Sequence, residues 1–175
     1  VGLIKEIANW VFLGALAVLL AFVFVYSVGI KTSVIGVSME PTLYNGQTIY
    51  INRFAYTLAN PDVGDVVVFL PKGNPNSHYY VKRVIAVGGD KVMIKDGICY
   101  VNDRESKYVT EKIMDAGIAE VEITLNSGEF FCLGENINNS EDSRSANIGP
   151  VSSEDIIGKA WLHGKTDTEK MGFIK

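Results

Sequence analysis

The chain has 175 residues, with 16 Lys and Arg against 20 Asp and Glu and a formal charge of −4. That length suits one domain, and the acidic balance argues against nucleic acid as a partner, which calls for a basic face. The mean hydropathy of +0.17 is high for a soluble domain and has a local source, because residues 7–30 carry no charge at all.

As a helix, that run would be about 36 Å long at 1.5 Å per residue, enough to cross a hydrocarbon core of about 30 Å with some tilt. Trp10 and Tyr26 stand near its ends, where amphipathic rings favour the membrane interface. A cleavable signal peptide has an apolar core of only about 7–15 residues, and Ala15-Leu16-Ala17 lies inside the run rather than after it. The run therefore reads as an uncleaved membrane anchor. Lys5, Glu6 and Lys31 flank it too evenly for charge to set its orientation. The chain opens on Val1 rather than Met, which leaves room for residues upstream.

After the anchor, residues 47–52, 65–70, 79–87, 91–103, 119–125 and 128–134 are rich in Val, Ile, Tyr and Phe. Turn formers separate them, among them Asn45-Gly46, Gly64-Asp65, Gly88-Gly89-Asp90 and Asn126-Ser127-Gly128. Asp96-Gly97 divides the 91–103 run and signals a two-residue hairpin. Helical spacing is confined to short pieces near 56–60 and 110–117. The pattern predicts a mostly β protein, a curled antiparallel β-domain over residues 31–164. It is preceded by one transmembrane helix within residues 1–30 and followed by a loosely held polar tail, 165–175.

Cys99 and Cys132 fall in predicted strands with apolar neighbours and read as two separate buried thiols in preference to a disulfide. His78 and His163 are far apart and have no metal-ligand spacing, so no metal site is expected.

Chemistry is sought first at Ser38, in the non-helical stretch Val34-Ile35-Gly36-Val37-Ser38-Met39-Glu40-Pro41 just past the anchor. Pro41 bars a helix through it, and Asn45-Gly46 turns the chain back. A nucleophilic serine needs a base. Neither histidine sits in a motif suited to a triad, and no Gly-x-Ser-x-Gly occurs. Lys82 is the other candidate, within Tyr79-Tyr80-Val81-Lys82-Arg83-Val84-Ile85-Ala86-Val87. Strand alternation puts Tyr80, Lys82, Val84 and Ala86 on one face and Val81, Arg83, Ile85 and Val87 on the other, so Lys82 or Arg83 meets apolar neighbours. Burial lowers an amine's pKa and leaves it able to accept a proton.

Four blocks occur in one order behind the anchor: Ser38-Met39-Glu40-Pro41-Thr42-Leu43; Gly64-Asp65-Val66-Val67; Tyr80-Val81-Lys82-Arg83-Val84 through Gly89-Asp90; and Gly134-Glu135-Asn136 through Asn139-Ser140-Glu141-Asp142-Ser143-Arg144. Together they resemble the type I signal peptidases over residues 7–162. The resemblance implies a Ser-Lys serine endopeptidase with Ser38 as nucleophile, Lys82 as general base and the Ser38 backbone N–H as an oxyanion donor. Ser140 would hydrogen-bond the lysine amine, while Asp142 and Arg144 would brace the site. Gly36 stands where Gram-negative members carry a second oxyanion serine, which points to the short Gram-positive type. Glu135 and Ile137-Asn138 depart from the commoner Asp and Arg-Asp of the last block.

By the same resemblance, Val34, Ile35, Leu43, Tyr80 and Val81 would line shallow pockets for the small residues of an A-x-A cleavage segment, bound as an added strand. The implied partners are the signal peptides of secretory precursors, pilin precursors among them, and the lipid bilayer. No cofactor is implied. The N-terminus would be cytoplasmic and the catalytic domain would lie outside the plasma membrane. One alternative is a specialised or catalytically weak homologue that processes pilins or serves as a scaffold in pilus assembly. A self-cleaving Ser-Lys regulator is a poorer match, since it would bring a DNA-binding domain in place of a membrane span.

Overall fold

The computed structural model describes residues 2–28, 30–57, 59–166 and 170–174. The uncharged run begins inside one long helix, α1 (Gly2–Val28), whose described side chains beyond Gly2 project into solvent all round. A helix apolar on every side has no polar face to offer water, and α1 is long and apolar enough to span a membrane from Gly2 to Tyr26. It ends earlier than the uncharged run, because Ile30 already pairs in a strand.

The rest is built from antiparallel strands: β1 (Ile30–Ser33), β2 (Thr48–Asn52), β3 (Val66–Phe69), β4 (Tyr80–Ala86), β5 (Lys91–Lys95), β6 (Ile98–Val101), β7 (Arg104–Glu105), β8 (Ile123–Thr124), β9 (Glu129–Leu133), β10 (Val151–Ser152), β11 (Ile156–His163) and β12 (Gly172–Phe173). One curled sheet runs β1-β2-β11-β3-β4-β9-β10, with β12 paired to the end of β11, and a smaller sheet runs β7-β6-β5-β8. The Asp96-Gly97 hairpin forms between β5 and β6 with both turn residues at positive φ, 54° and 82°, the geometry that matches the twist of the two strands.

Two predictions of detail are corrected. The 119–125 run is only partly strand: a 3₁₀ turn over Gly117–Glu120 precedes the two-residue β8. The tail lies in part outside the described residues, but Gly172–Phe173 is not loose. It pairs with Leu162–His163, and Ile174 N donates to Trp161 O at 3.0 Å.

The layer behind the site is apolar. Met39, Leu43, Ile49, Ile51, Val66, Val68, Val81 and Ala160 form one buried cluster, while Val67, Phe69, Val84, Phe130 and Cys132 share another. Val81 and Val84 therefore pack into different clusters, as the alternation along β4 requires. The alternation lapses after Val84, where the register between β4 and β9 shifts and brings Ile85 and Ala86 into a single third cluster. Cys99 and Cys132 are free, buried and in different clusters. Burial pushes the Cys99 thiol up to about 11, and pushes Cys132 up as well.

Candidate active site

β4 lies between β3 and β9 near the middle of the large sheet, and its register with β3 sets Lys82 opposite Val67. Lys82 is only 4% exposed. Burial is the largest influence on its amine and lowers the pKa from 10.5 to about 8. The carboxylates Asp142 and Glu141 oppose that shift, and Arg144 adds to it. The cause is desolvation: an ammonium loses more hydration than a neutral amine when water is removed.

Ser38 is brought to Lys82 by a compact turn. Val34 N donates to Gln47 O and Gly46 N to Val34 O, each at 2.8 Å, which closes the segment at its base. Met39 and Leu43 plug the turn into the core, both fully buried, and Leu43 N donates to Met39 O at 2.8 Å. From the other side Asn136 N donates to Ser38 O at 3.0 Å. The result is a direct hydrogen bond from Lys82 Nζ to Ser38 Oγ of 2.6 Å. Gly36 holds φ +87° with open space where a Cβ would stand, and its N–H donates to Asn45 Oδ1 at 2.9 Å.

Serine and lysine open onto a cleft of about 280 Å³. Val34, Ile35 and Val37 line one side of it, Tyr79, Tyr80 and Val81 another, and Asn139 and Glu141 close the rim. Four of the five expected lining residues are thus present. Leu43 is not: it is fully buried in the cluster behind the turn and contributes packing, because the turn rotates it inward with Met39. His78 stands in the cleft but is exposed, and His163 is remote, its Nδ1 3.0 Å from Gln47 Nε2.

The last block forms a tight loop beside Ser38 and Lys82. Arg144 Nε donates to Asp142 Oδ1 at 2.8 Å and Nη2 to Oδ2 at 3.0 Å, with the two side chains 8% and 0% exposed. The same guanidinium donates to Asp115 O at 3.1 Å, Ile137 O at 2.5 Å and Ser140 O at 3.2 Å. Asp142 Oδ2 also accepts from Gly134 N at 3.1 Å. One side-chain pair thereby satisfies backbone groups along the whole loop, which a merely local ion pair would not do. The hydrogen bond expected between Ser140 and Lys82 is not formed. Ser140 Oγ is buried without a partner among the described residues, while the lysine donates to Ser38. Glu135, in place of the commoner Asp, pairs with Arg83, whose Nη1 also donates to Gly64 O at 2.5 Å. Ile137 joins the core, and Asn138 bonds Lys112 O and Met114 N.

Two residues of the fourth block, Gly134 and Glu141, are given no role by the motif reading. Gly134 admits no side chain: a Cβ would lie 2.2 Å from Ser140 Oγ and 2.6 Å from Ser38 O. Glu141 accepts a hydrogen bond from the Tyr80 hydroxyl at 3.1 Å. Neither role has a local signal, since each involves a contact with a segment distant in sequence, Ser38 for Gly134 and Tyr80 for Glu141. Among the described residues no cluster of His, Cys, Asp and Glu is placed to hold a metal ion.

A family model described as "Signal peptidase, peptidase S26" matches residues 7–163. Signal peptidase I P of Bacillus subtilis subsp. natto is 30% identical over 163 residues, covering 88% of this chain and 86% of its own length. Signal peptidase IB of Staphylococcus aureus strain COL is 30% identical over 172 residues, covering 89% and 87%. A crystal structure of a signal peptidase I from Enterococcus faecalis is 24% identical with a TM-score of 0.43, covering 59% of this chain and 98% of that one.

Proposed function

This chain belongs to the signal peptidase family, peptidase S26, and on the premise that it is a serine endopeptidase removing signal peptides, we propose that Ser38 is its nucleophile and Lys82 its general base. The observation that carries the reading is the 2.6 Å contact between Lys82 Nζ and Ser38 Oγ at the floor of an apolar-walled cleft. With a pKa of about 8, roughly a tenth of the amine is neutral at pH 7. That fraction takes the hydroxyl proton as Oγ adds to the scissile carbonyl, and the resulting ammonium returns the proton to the leaving amine. Water, deprotonated by the same amine, then hydrolyses the acyl ester and regenerates Ser38. The Ser38 backbone N–H serves the oxyanion, and a donor of this type is worth about 10²–10³ in turnover. Gly36 supplies no side-chain donor, and its N–H is turned to Asn45.

The substrate is an extended A-x-A segment of a secretory precursor. Val34, Ile35, Tyr80 and Val81 leave room for small side chains and exclude large ones, while also keeping the lysine dry. α1 anchors the protein in the plasma membrane with the N-terminus cytoplasmic and the β-domain outside. Ser38 lies ten residues beyond the helix end at Val28, which keeps the nucleophile near the membrane surface, where a signal peptide presents its cleavage segment. The test is cleavage of full-length precursors in lipid, with the cut located by N-terminal sequencing. Cutting after A-x-A, lost when the residue before the cut is made Leu or Phe, is expected. A folded, inserted protein that cuts no precursor would favour a scaffold role instead.

A further inference from the structure

The cleft holds one acid that the roles above leave unused. Glu141 is exposed at the rim, between Ser140 and Asp142, and accepts from the Tyr80 hydroxyl at 3.1 Å. The Tyr80 ring is fixed from two further directions. Its centroid lies 5.8 Å from that of Phe69, and Lys82 Nζ stands 5.6 Å from it on the same strand face. A cation near an aromatic ring is attracted by the ring's quadrupole, more strongly where water is scarce. Glu141 thus acts on Lys82 by two routes, through its own charge and through the ring it tethers.

The other groups facing Lys82 do not duplicate this. Asp142 favours the ammonium more than Glu141 does, but it is locked in a buried pair with Arg144, whose charge acts the other way. Cys132 stays a neutral thiol because burial pushes it up, and the Tyr80 phenol is likewise neutral. Glu141 makes no ion pair among those described and is the carboxylate left uncompensated near the amine.

We propose that Glu141 is a positioning residue of this site: tied to the Tyr80 hydroxyl, it holds the Tyr80 ring against Lys82 and favours the lysine's charged resting form. The role rests on the Ser38–Lys82 reading and deepens it. It makes the acidity at which the base becomes available a property of the cleft rim, outside the dyad itself.

Two substitutions separate the routes. Glu141→Gln keeps an acceptor for Tyr80 and removes only the charge, whereas Glu141→Ala removes both. Lys82 is titrated directly by the NMR shift of its ¹³Cε in the full chain in detergent, in a Ser38→Ala background. The signal is assigned by its loss in Lys82→Met. Both Glu141 variants are expected to titrate at lower pH than the parent, since an anion that favoured the ammonium has gone. In the Ser38 enzyme the acidic limb of kcat/KM moves the same way in Glu141→Gln with KM unchanged, and Glu141→Ala additionally loses severalfold in plateau kcat. Glu105→Gln, on β7 of the small sheet, moves neither. A Lys82 midpoint that stays or rises in Glu141→Gln overturns the proposal, as does equal plateau kcat in the two variants. Because the titration needs no turnover, it decides the role of Glu141 even if no precursor is cut. Normal cleavage with an unmoved midpoint removes this proposal alone.

Discussion

At the scale of single residues, the burial that would make Lys82 a base under the proposed mechanism costs stability. Lys82 has a pKa of about 8 in the fold against 10.5 when solvated, a difference of about 3 kcal/mol between the charged and neutral forms. The sign follows from linkage. Between pH 8 and 10.5 the unfolded chain binds more protons than the folded one, so stability rises with pH through that window. Below pH 8 the penalty is fully present. Lys82→Met should therefore abolish cleavage yet raise the thermal midpoint at pH 7, and thermal scans at increasing pH should show the gain shrinking toward pH 10.5. A loss of stability at pH 7 would mean that the amine is not desolvated. In the wild type, kcat/KM should fall about tenfold per pH unit below about 8, as the neutral amine is lost.

The glycines on the two sides of Ser38 differ in what they tolerate. Gly36 sits at φ +87° in open space, so Gly36→Ala meets no atom and costs only left-handed backbone strain, about 1–2 kcal/mol, read as a lower Tm. Gly134→Ala differs in kind, since its Cβ strikes Ser140 Oγ at 2.2 Å and the Ser38 carbonyl at 2.6 Å. It must displace the turn that carries Ser38, the proposed nucleophile. Kinetics should show kcat reduced by at least about tenfold, because small misplacements of reacting groups are expensive.

At the scale of elements, the loop from Ile137 to Arg144 depends on one buried ion pair. Removing one partner of such a pair leaves an uncompensated charge and typically costs 3–5 kcal/mol. Arg144→Met should lose about that much in denaturant unfolding, since it frees Asp142 and three backbone carbonyls together. Lys at the same position cannot reproduce the fork and should recover only part of the loss. A change under 1 kcal/mol would show that the loop is held by other contacts.

The elements also show what a sequence can reveal. β2, β3, β4, β9 and the β5–β6 hairpin were legible because β-branched and aromatic runs end at turn residues. β11, which lies between β2 and β3, was not. Its segment Ile156–His163 is interrupted by Gly158 and Lys159, and its register shifts on both sides of that interruption. The glycine is required, as a Cβ there would approach Asn52 O to 2.6 Å. Within the proposed site, the pairing of Ser38 with Lys82 was anticipated from their surroundings and the family's block order, and that of Asp142 with Arg144 from that order alone. Leu43 was misplaced because a period-2 or motif reading cannot say which way a turn rotates its side chains. Ser140 was expected to bond the lysine, but the 2.6 Å contact with Ser38 takes that place.

At the scale of the whole molecule, a helix long and apolar enough to span a membrane precedes a β-domain with its own three buried clusters. The two thiols lie in separate clusters, so reductant should leave the Tm unchanged, and a reductant-dependent Tm would reveal a disulfide. On the proposed anchoring through α1, the cleft would be confined to the membrane surface, which would restrict the peptide bonds that reach Ser38. The central claim is the Ser38–Lys82 dyad, and its most direct test is cleavage of one A-x-A precursor in lipid by the wild type, Ser38→Ala and Lys82→Ala, each shown to be folded and inserted. Cutting by the wild type alone is predicted, and cutting by either variant at a rate near the wild type would contradict the account.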